Sequence, residues 1–183
     1  NEKTYPSIII SGLGISGLIT ASLLCKEKIK VECFEPNDIS KFDEDQRTTA
    51  FLNPAIEVFK EIGIWGNIEP YSQPLNEMEI IDASSKKKAG LARVVFEPTE
   101  VNIENFGYNV PNKIVRLELL NWLKKNQNFV LNLGDSIVKH YAFDDNILVK
   151  SAKGKKQNGK LLISCEGRES RIRKRENISI IKA

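Results

Sequence analysis

The sequence is poor in the side chains that hold metals or act as nucleophiles. It has one histidine, His140, and three cysteines, Cys25, Cys33 and Cys165, with no Cys-x-x-Cys spacing. A zinc or iron centre built from protein ligands therefore lacks its donors. Cysteines that are odd in number, far apart and set in apolar runs give no disulfide framework and read as buried, reduced thiols. An excess of one charge is lacking too, since 27 Lys and Arg against 24 Asp and Glu leave a net +3. That is too little for a protein that binds nucleic acid through its overall field. The basic stretch "RESRIRKRE" has no aromatic platform beside it, so no nucleic-acid partner is expected. No Ser-His-Asp, Cys-His or paired-carboxylate arrangement stands out, so any chemistry should belong to a bound cofactor.

What remains is the composition of an ordinary soluble globular chain, 41% hydrophobic and 28% charged. Its 183 residues suit one domain, or one domain with a small insertion. The abundance of Ile, Lys and Asn hints at an AT-rich bacterial genome.

One stretch is free of charge for long enough to raise the question of a membrane: "SIIISGLGISGLITASLLC", Ser7 to Cys25. A spanning helix needs about 20 strongly apolar residues, and this run is broken by glycines, serines and Thr20. A secretory signal needs a small-residue cleavage site, but "CKEKIKVECFE" follows instead. A nucleotide cradle accounts for more of the residues. Ile8-Ile9-Ile10 reads as a buried parallel strand. Gly12-Leu13-Gly14-Ile15-Ser16-Gly17 is a Gly-x-Gly-x-x-Gly, in which the three glycines serve a tight turn, backbone approach to a pyrophosphate, and close packing of helix on strand. Leu18, Ala21, Ser22 and Cys25 then recur at helical spacing over about three turns. "KVECFE" supplies a second strand ending in Glu35, 18 positions after Gly17 and near the spacing of a ribose-binding carboxylate. An acid at that place fits an unphosphorylated ribose, hence FAD or NAD rather than NADP.

Further along, Asn53-Pro54 reads as the N-cap and first position of a helix with Ile56, Phe59 and Ile62 on one face and Gly63 as its stop. Residues 76–105 alternate like antiparallel strands around Lys86-Lys87-Lys88, a solvated hairpin tip. This makes a small sheet excursion from the α/β core. "GYNVPNKIVRLELLNWLKKN" returns to helix, with Asn112 as a cap and Val115, Leu119, Trp122 and Leu123 as its apolar face. Arg116 opens that helix and reads either as a surface arginine or as a reach toward phosphate. "SIVKHYAF", "NILVKSA" and "KLLISC" read as strands, and "KGKKQNGK" as a turn. His140 has a structural or exposed role.

Four segments in order resemble the N-terminal portion of the class A FAD-dependent aromatic monooxygenases, and within them the ubiquinone-biosynthesis (Ubi/Coq-type) hydroxylases. They are the glycine motif with Glu35; Asp45-Gln46-Arg47-Thr48-Thr49-Ala50-Phe51, similar to D-x-R-x-x-A-L; Gly107 to Arg116, similar to G-Y-x-V-x-N-x-x-L-R; and Cys165 to Arg173, similar to A-D-G-x-x-S-x-x-R. The resemblance implies a Rossmann-like α/β domain of the para-hydroxybenzoate hydroxylase fold over 1–75 and 106–183, with 76–105 as partial substrate-domain strands. It implies FAD, cradled by Gly12, Leu13, Gly14, Ile15, Ser16 and Gly17, with Glu35 on the adenosine ribose and Arg47 and Arg116 toward the pyrophosphate and ribityl chain. Ile137 would lie near the adenine, and Glu166 and Gly167 where the family's Asp-Gly serves both FAD and NAD(P)H. Glu166 in place of Asp is a departure. Family members also continue well beyond Ala183, and Asn1 in place of Met suggests an excised piece or numbering that omits a tag. The implied reaction is hydroxylation of a polyprenyl phenol with NAD(P)H and O2. The setting would be cytoplasmic, with peripheral contact at the inner membrane face and assembly with other ubiquinone-biosynthesis proteins. Two rivals stand beside it, an FAD oxidoreductase of the polyprenyl-reductase type and an inactive nucleotide-binding remnant.

Overall fold

A computed structural model describes residues 8–42, 44–82 and 92–181. In chain order the elements are β1 Ile8–Ser11, α1 Ile15–Lys26, β2 Val31–Glu35, β3 Thr48–Leu52, α2 Asn53–Ile62, α3 Trp65–Ile68, β4 Gln73–Pro74, β5 Met78–Asp82, β6 Ala92–Phe96 and β7 Gly107–Pro111. They continue with α4 Asn112–Lys124, β8 Phe129–Leu133, β9 Ile137–Ala142, β10 Ile147–Ser151, β11 Lys156–Gly159, β12 Leu161–Ser164 and α5 Arg171–Arg175. The chain divides into two compact units, one from the described residues of 1–45 and 115–183 and one from those of 46–114.

In the first unit the uncharged opening stretch resolves into a four-residue strand, a turn and a 12-residue helix. Among the described residues no helix is long and apolar enough to cross a membrane. β1 lies between β12 and β2, and β8 pairs with the far side of β2, all in parallel. A central parallel strand is covered on both faces, and all five residues of β2 are buried. α1 turns Leu18, Ala21, Ser22 and Cys25 inward. α4 buries Val115, Leu119, Leu120 and Leu123, while Trp122 stays half-buried. An antiparallel sheet, β9-β10-β11, is joined to the parallel one through a core of Ile9, Phe34, Ile137 and Val149, with Ile147 and Leu162 packed against it. The buried acid Glu32 on β2 is satisfied there by the amide of Asn132 at 2.8 Å and by the ammonium of Lys155.

The second unit has a three-stranded sheet, β3-β7-β4. α2 puts Phe59 edge-on to Phe51 of β3, with ring centres 5.0 Å apart, and Trp65 meets Tyr108 at 4.9 Å. β5 and β6 form the hairpin expected for residues 76–105. Its tip, with Lys86, Lys87 and Lys88, lies outside the described residues.

Four readings need correction. "KGKKQNGK" is not only a turn, because Lys156–Gly159 forms β11, whose polar residues suit an edge strand. "GYNVP" is strand β7, and the helix begins at Asn112. Asn53 is the first helical residue rather than the cap, its amide donating to the carbonyl of Asn105 at 2.7 Å. Asn112 likewise lies inside α4 and accepts a hydrogen bond from Thr49 at 2.6 Å. Gly63 does stop α2, in the left-handed conformation at φ 87°.

Phe34 is fully buried in the core shared by the two sheets. Phe34→Ala should lower unfolding stability by about 3–5 kcal/mol, measured by denaturant titration. A loss below about 1 kcal/mol would mean that this core does not hold the sheets together.

Candidate functional site

The glycine motif sits where β1 ends and α1 begins. Gly12 takes φ +96°, and a side chain there would meet the carbonyl oxygen of Cys165 at 2.6 Å. A side chain on Gly17 would meet the carbonyl oxygen of Gly12 at 2.2 Å. Both glycines are therefore demanded by the chain's own packing. Gly14 differs, because its φ of −65° and ψ of 179° suit any residue and a Cβ there meets nothing within 4 Å. The open space lies before the first turn of α1, which has no side-chain cap and no acidic residue. Its N–H groups and the positive end of the helix dipole meet that space, a combination suited to an anion.

Two carboxylates, Glu35 buried and Glu166 half-buried, fasten this turn from opposite sides. Glu35, 6% exposed at the end of β2, accepts from the N–H of Leu13 at 2.7 Å through Oε2. Its Oε1 accepts from both the backbone and the side-chain nitrogen of Asn37, each at 2.9 Å. A carboxylate offers about four acceptor sites, so three are filled and one on Oε2 remains for a hydroxyl donor. Sequence reasoning missed Asn37. Its signal was an amide residue two places after a strand-end acid, the spacing at which a short loop folds back on the carboxylate.

Glu166, on the other side, accepts from the Ser11 hydroxyl at 2.7 Å through Oε1, and from the Ser170 hydroxyl and the Ile172 N–H at 2.8 and 3.0 Å through Oε2. Ser170 also caps α5 by accepting from the N–H of Arg173. Burial raises the Glu166 pKa, but the Ile172 N–H and the two hydroxyls outweigh it and hold the carboxyl below the ordinary glutamate range. Glu166 thus ties the last residue of β1 to the start of α5. Gly167 follows it at φ +74°.

The other expected site residues are spread more widely. Leu13 is fully buried, Ile15 is half-buried and Ser16 exposed. Arg116 is held by Asp45 at 3.2 Å, with its guanidinium 5.2 Å from the ring centre of Phe42. Its Nε is buried and has no hydrogen-bond partner among the described residues. Arg47 belongs to the second unit, where its carbonyl accepts from the N–H of Asn112 at 3.0 Å. Ile137 is fully enclosed in the core, so its side chain is not available to an adenine. His140 is hydrogen-bonded to Glu176 at 2.6 Å. Burial raises the pKa of all three thiols, Cys25 to about 11, so they stay protonated and unreactive at neutral pH.

A glutamate with a lowered folded-state pKa stabilises the fold above its unfolded pKa and loses that contribution as pH falls through the folded value. Glu166→Gln should therefore cost about 1–2 kcal/mol at neutral pH. The Tm gap from the unsubstituted chain should close on acidification below the ordinary glutamate range. A gap that is constant across the titration would contradict the charged brace.

No family model matches the chain. Two curated relatives do, each over 98% of the chain at 23% identity: the ubiquinone biosynthesis monooxygenase COQ6, mitochondrial, of Dictyostelium discoideum and the 3-demethoxyubiquinol 3-hydroxylase of Escherichia coli. The chain spans 40% and 45% of their lengths, under half of each. Among solved structures, p-nitrophenol 4-monooxygenase PnpA from Pseudomonas putida superposes over 98% of the chain and 45% of its own, with TM-score 0.79 and 15% identity. PqsL from Pseudomonas aeruginosa, described as a probable FAD-dependent monooxygenase, covers 98% of the chain and 47% of its own, with TM-score 0.76 and 16% identity. The chain therefore has the fold of these monooxygenases, and over nearly its whole length its sequence relatives are hydroxylases of ubiquinone biosynthesis.

Proposed function

We propose that the chain is the FAD-binding part of a flavin-dependent monooxygenase that hydroxylates the aromatic ring of a polyprenyl phenol in ubiquinone biosynthesis, using NAD(P)H and O2. The observation that carries the FAD reading is Gly14. Nothing in the packing of the described residues requires a glycine there, whereas a ligand drawn close to the backbone at the start of α1 does.

In this reading the turn from Gly12 to Gly17 holds the pyrophosphate. The remaining acceptor of Glu35 takes a ribose hydroxyl, with Asn37 fixing the carboxylate plane. The Arg116 guanidinium, whose Nε lacks a partner among the described residues, faces the anionic part of the cofactor. Glu166 holds the shape of the turn, and the backbone at Gly167 borders the place where NAD(P)H approaches. Bound FAD supplies the redox and oxygen chemistry that these side chains cannot; the protein binds it, orients the ring and excludes water. The names of the two relatives favour a ubiquinone precursor as substrate. A cytoplasmic enzyme in peripheral contact with the membrane, working beside other proteins of that synthesis, is the setting that follows.

Gly14→Ala should change stability by less than about 1 kcal/mol while weakening FAD binding at least tenfold (roughly 1.4 kcal/mol). Gly17→Ala should lower the Tm whether or not FAD is present. Thermal melts and flavin-fluorescence titrations read both, and an unchanged FAD affinity in Gly14→Ala would contradict the cradle. For the reaction, the whole protein should purify yellow and consume NAD(P)H and O2 when given a prenylated phenol. Product formed without O2 would move it to the reductase class.

A further inference from the structure

The second unit contains an open cleft of about 580 Å³ that the flavin reading does not use. Its size is that of a small-molecule site. α2 supplies one wall through Asn53, Glu57 and Lys60, which recur at helical spacing, and the loop into β7 supplies the other. The floor is made of Trp65, 8% exposed, Asn105, 7% exposed, and the half-buried Tyr108. Hydrogen bonds set that floor in advance. The Asn53 side-chain amide donates to the Asn105 carbonyl at 2.7 Å, and the Gly107 N–H donates to Asn105 Oδ1 at 3.0 Å.

Two donors on the floor are left over. The Trp65 ring stands edge-to-face with Tyr108, and its indole N–H has no hydrogen-bond partner among the described residues. The Asn105 side-chain nitrogen carries two hydrogens, and its acceptor among the described residues is the Tyr108 hydroxyl at 3.3 Å. Side chains this deeply buried normally have their donors matched, so a ligand seated here should bring an acceptor oxygen. The rim calls for the opposite charge. Glu69 and Glu104 are exposed, and neither carboxylate is hydrogen-bonded or ion-paired among the described residues, whereas Glu57 is matched by Lys60 at 2.7 Å.

We propose that this cleft binds an arginine side chain carried by a peptide. The guanidinium pairs with the Glu69 and Glu104 carboxylates beside the aromatic rings, and a peptide carbonyl next to it accepts from the floor donors. A guanidinium is weakly hydrated, forks onto carboxylates and stacks on aromatic faces, so it suits this lining better than the strongly hydrated ammonium of lysine. A peptide is the source because free arginine would bring its own carboxylate to an acidic rim. Every residue of the cleft lies in the second unit, so the inference does not depend on FAD being bound at the first turn of α1.

The test follows the indole N–H resonances of the isotopically labelled chain, without flavin, as N-acetyl-arginine amide is added. The chain has two tryptophans, and Trp122 on α4 serves as the internal control. Trp65 should shift saturably, together with the Asn105 side-chain amide, while Trp122 stays still, and binding should weaken as salt rises. An exposed ion pair is worth about threefold, so Glu69→Gln and Glu104→Gln together should weaken binding about tenfold. N-acetyl-citrulline amide, which keeps the shape without the charge, should lose at least as much. Circular dichroism checks that the double variant folds, and the citrulline comparison needs no variant. An unmoved Trp65, equal shifts of both tryptophans, equal binding of the citrulline compound, or undiminished binding by the folded variant would each overturn the proposal. Tighter binding of free arginine would overturn the peptide assignment in favour of the amino acid. Because no flavin is read, a negative result here leaves the FAD reading untouched, and loss of FAD binding leaves this one.

Discussion

The first unit depends on how closely two strand ends approach. The backbone leaving β1 passes the carbonyl of Cys165, just beyond β12, at a distance that leaves no room for a side chain on residue 12. The helix that follows returns so tightly that residue 17 has none either. A hydrogen bond from the N–H of Cys165 to the carbonyl of Ser11 at 2.7 Å, and one from the N–H of Gly12 to the carbonyl of Phe34 at 2.8 Å, fix the approach from both neighbouring strands. Interiors packed at crystal-like density transmit such constraints instead of absorbing them. The position and direction of α1's first turn therefore follow from the sheet itself.

Buried and half-buried acids keep this geometry in place, and each is satisfied differently. Glu32 meets an amide and an ammonium, Glu35 a loop N–H and Asn37, and Glu166 two hydroxyls and the N-terminus of α5. At Asp135, burial raises the pKa, but the Ser151 hydroxyl and the N–H groups of Lys153 and Ser136 outweigh it and hold it low. Charged groups out of water persist only where hydrogen bonds replace solvation. Here those bonds also join elements distant in sequence, Ser11 to Glu166 being the clearest case.

Much of this was legible in the residues. The β-branched run, the glycine spacing and the strand-end acid place β1, α1, β2 and the turn with little ambiguity, because each demands a particular backbone. Phe129–Leu133 went unread because "FVLNL" follows a helix without a strong turn signal and carries a mixed pattern. β11 was hidden because an edge strand in a polar hairpin gains its order from pairing with β10 and not from its own side chains. Contacts over long separation, such as those of Glu166, leave no local pattern. Ile137 shows the limit of reasoning by resemblance, since a position can be matched while its side chain serves the core.

The claim that joins fold to function is that an anionic cofactor sits on the first turn of α1 and against Glu35. Amide chemical shifts of the isotopically labelled chain during titration with FAD test it directly. The account predicts saturable shifts concentrated on Leu13 to Leu18 and on Asn37. Shifts confined to residues elsewhere, or none at saturating FAD, would contradict it.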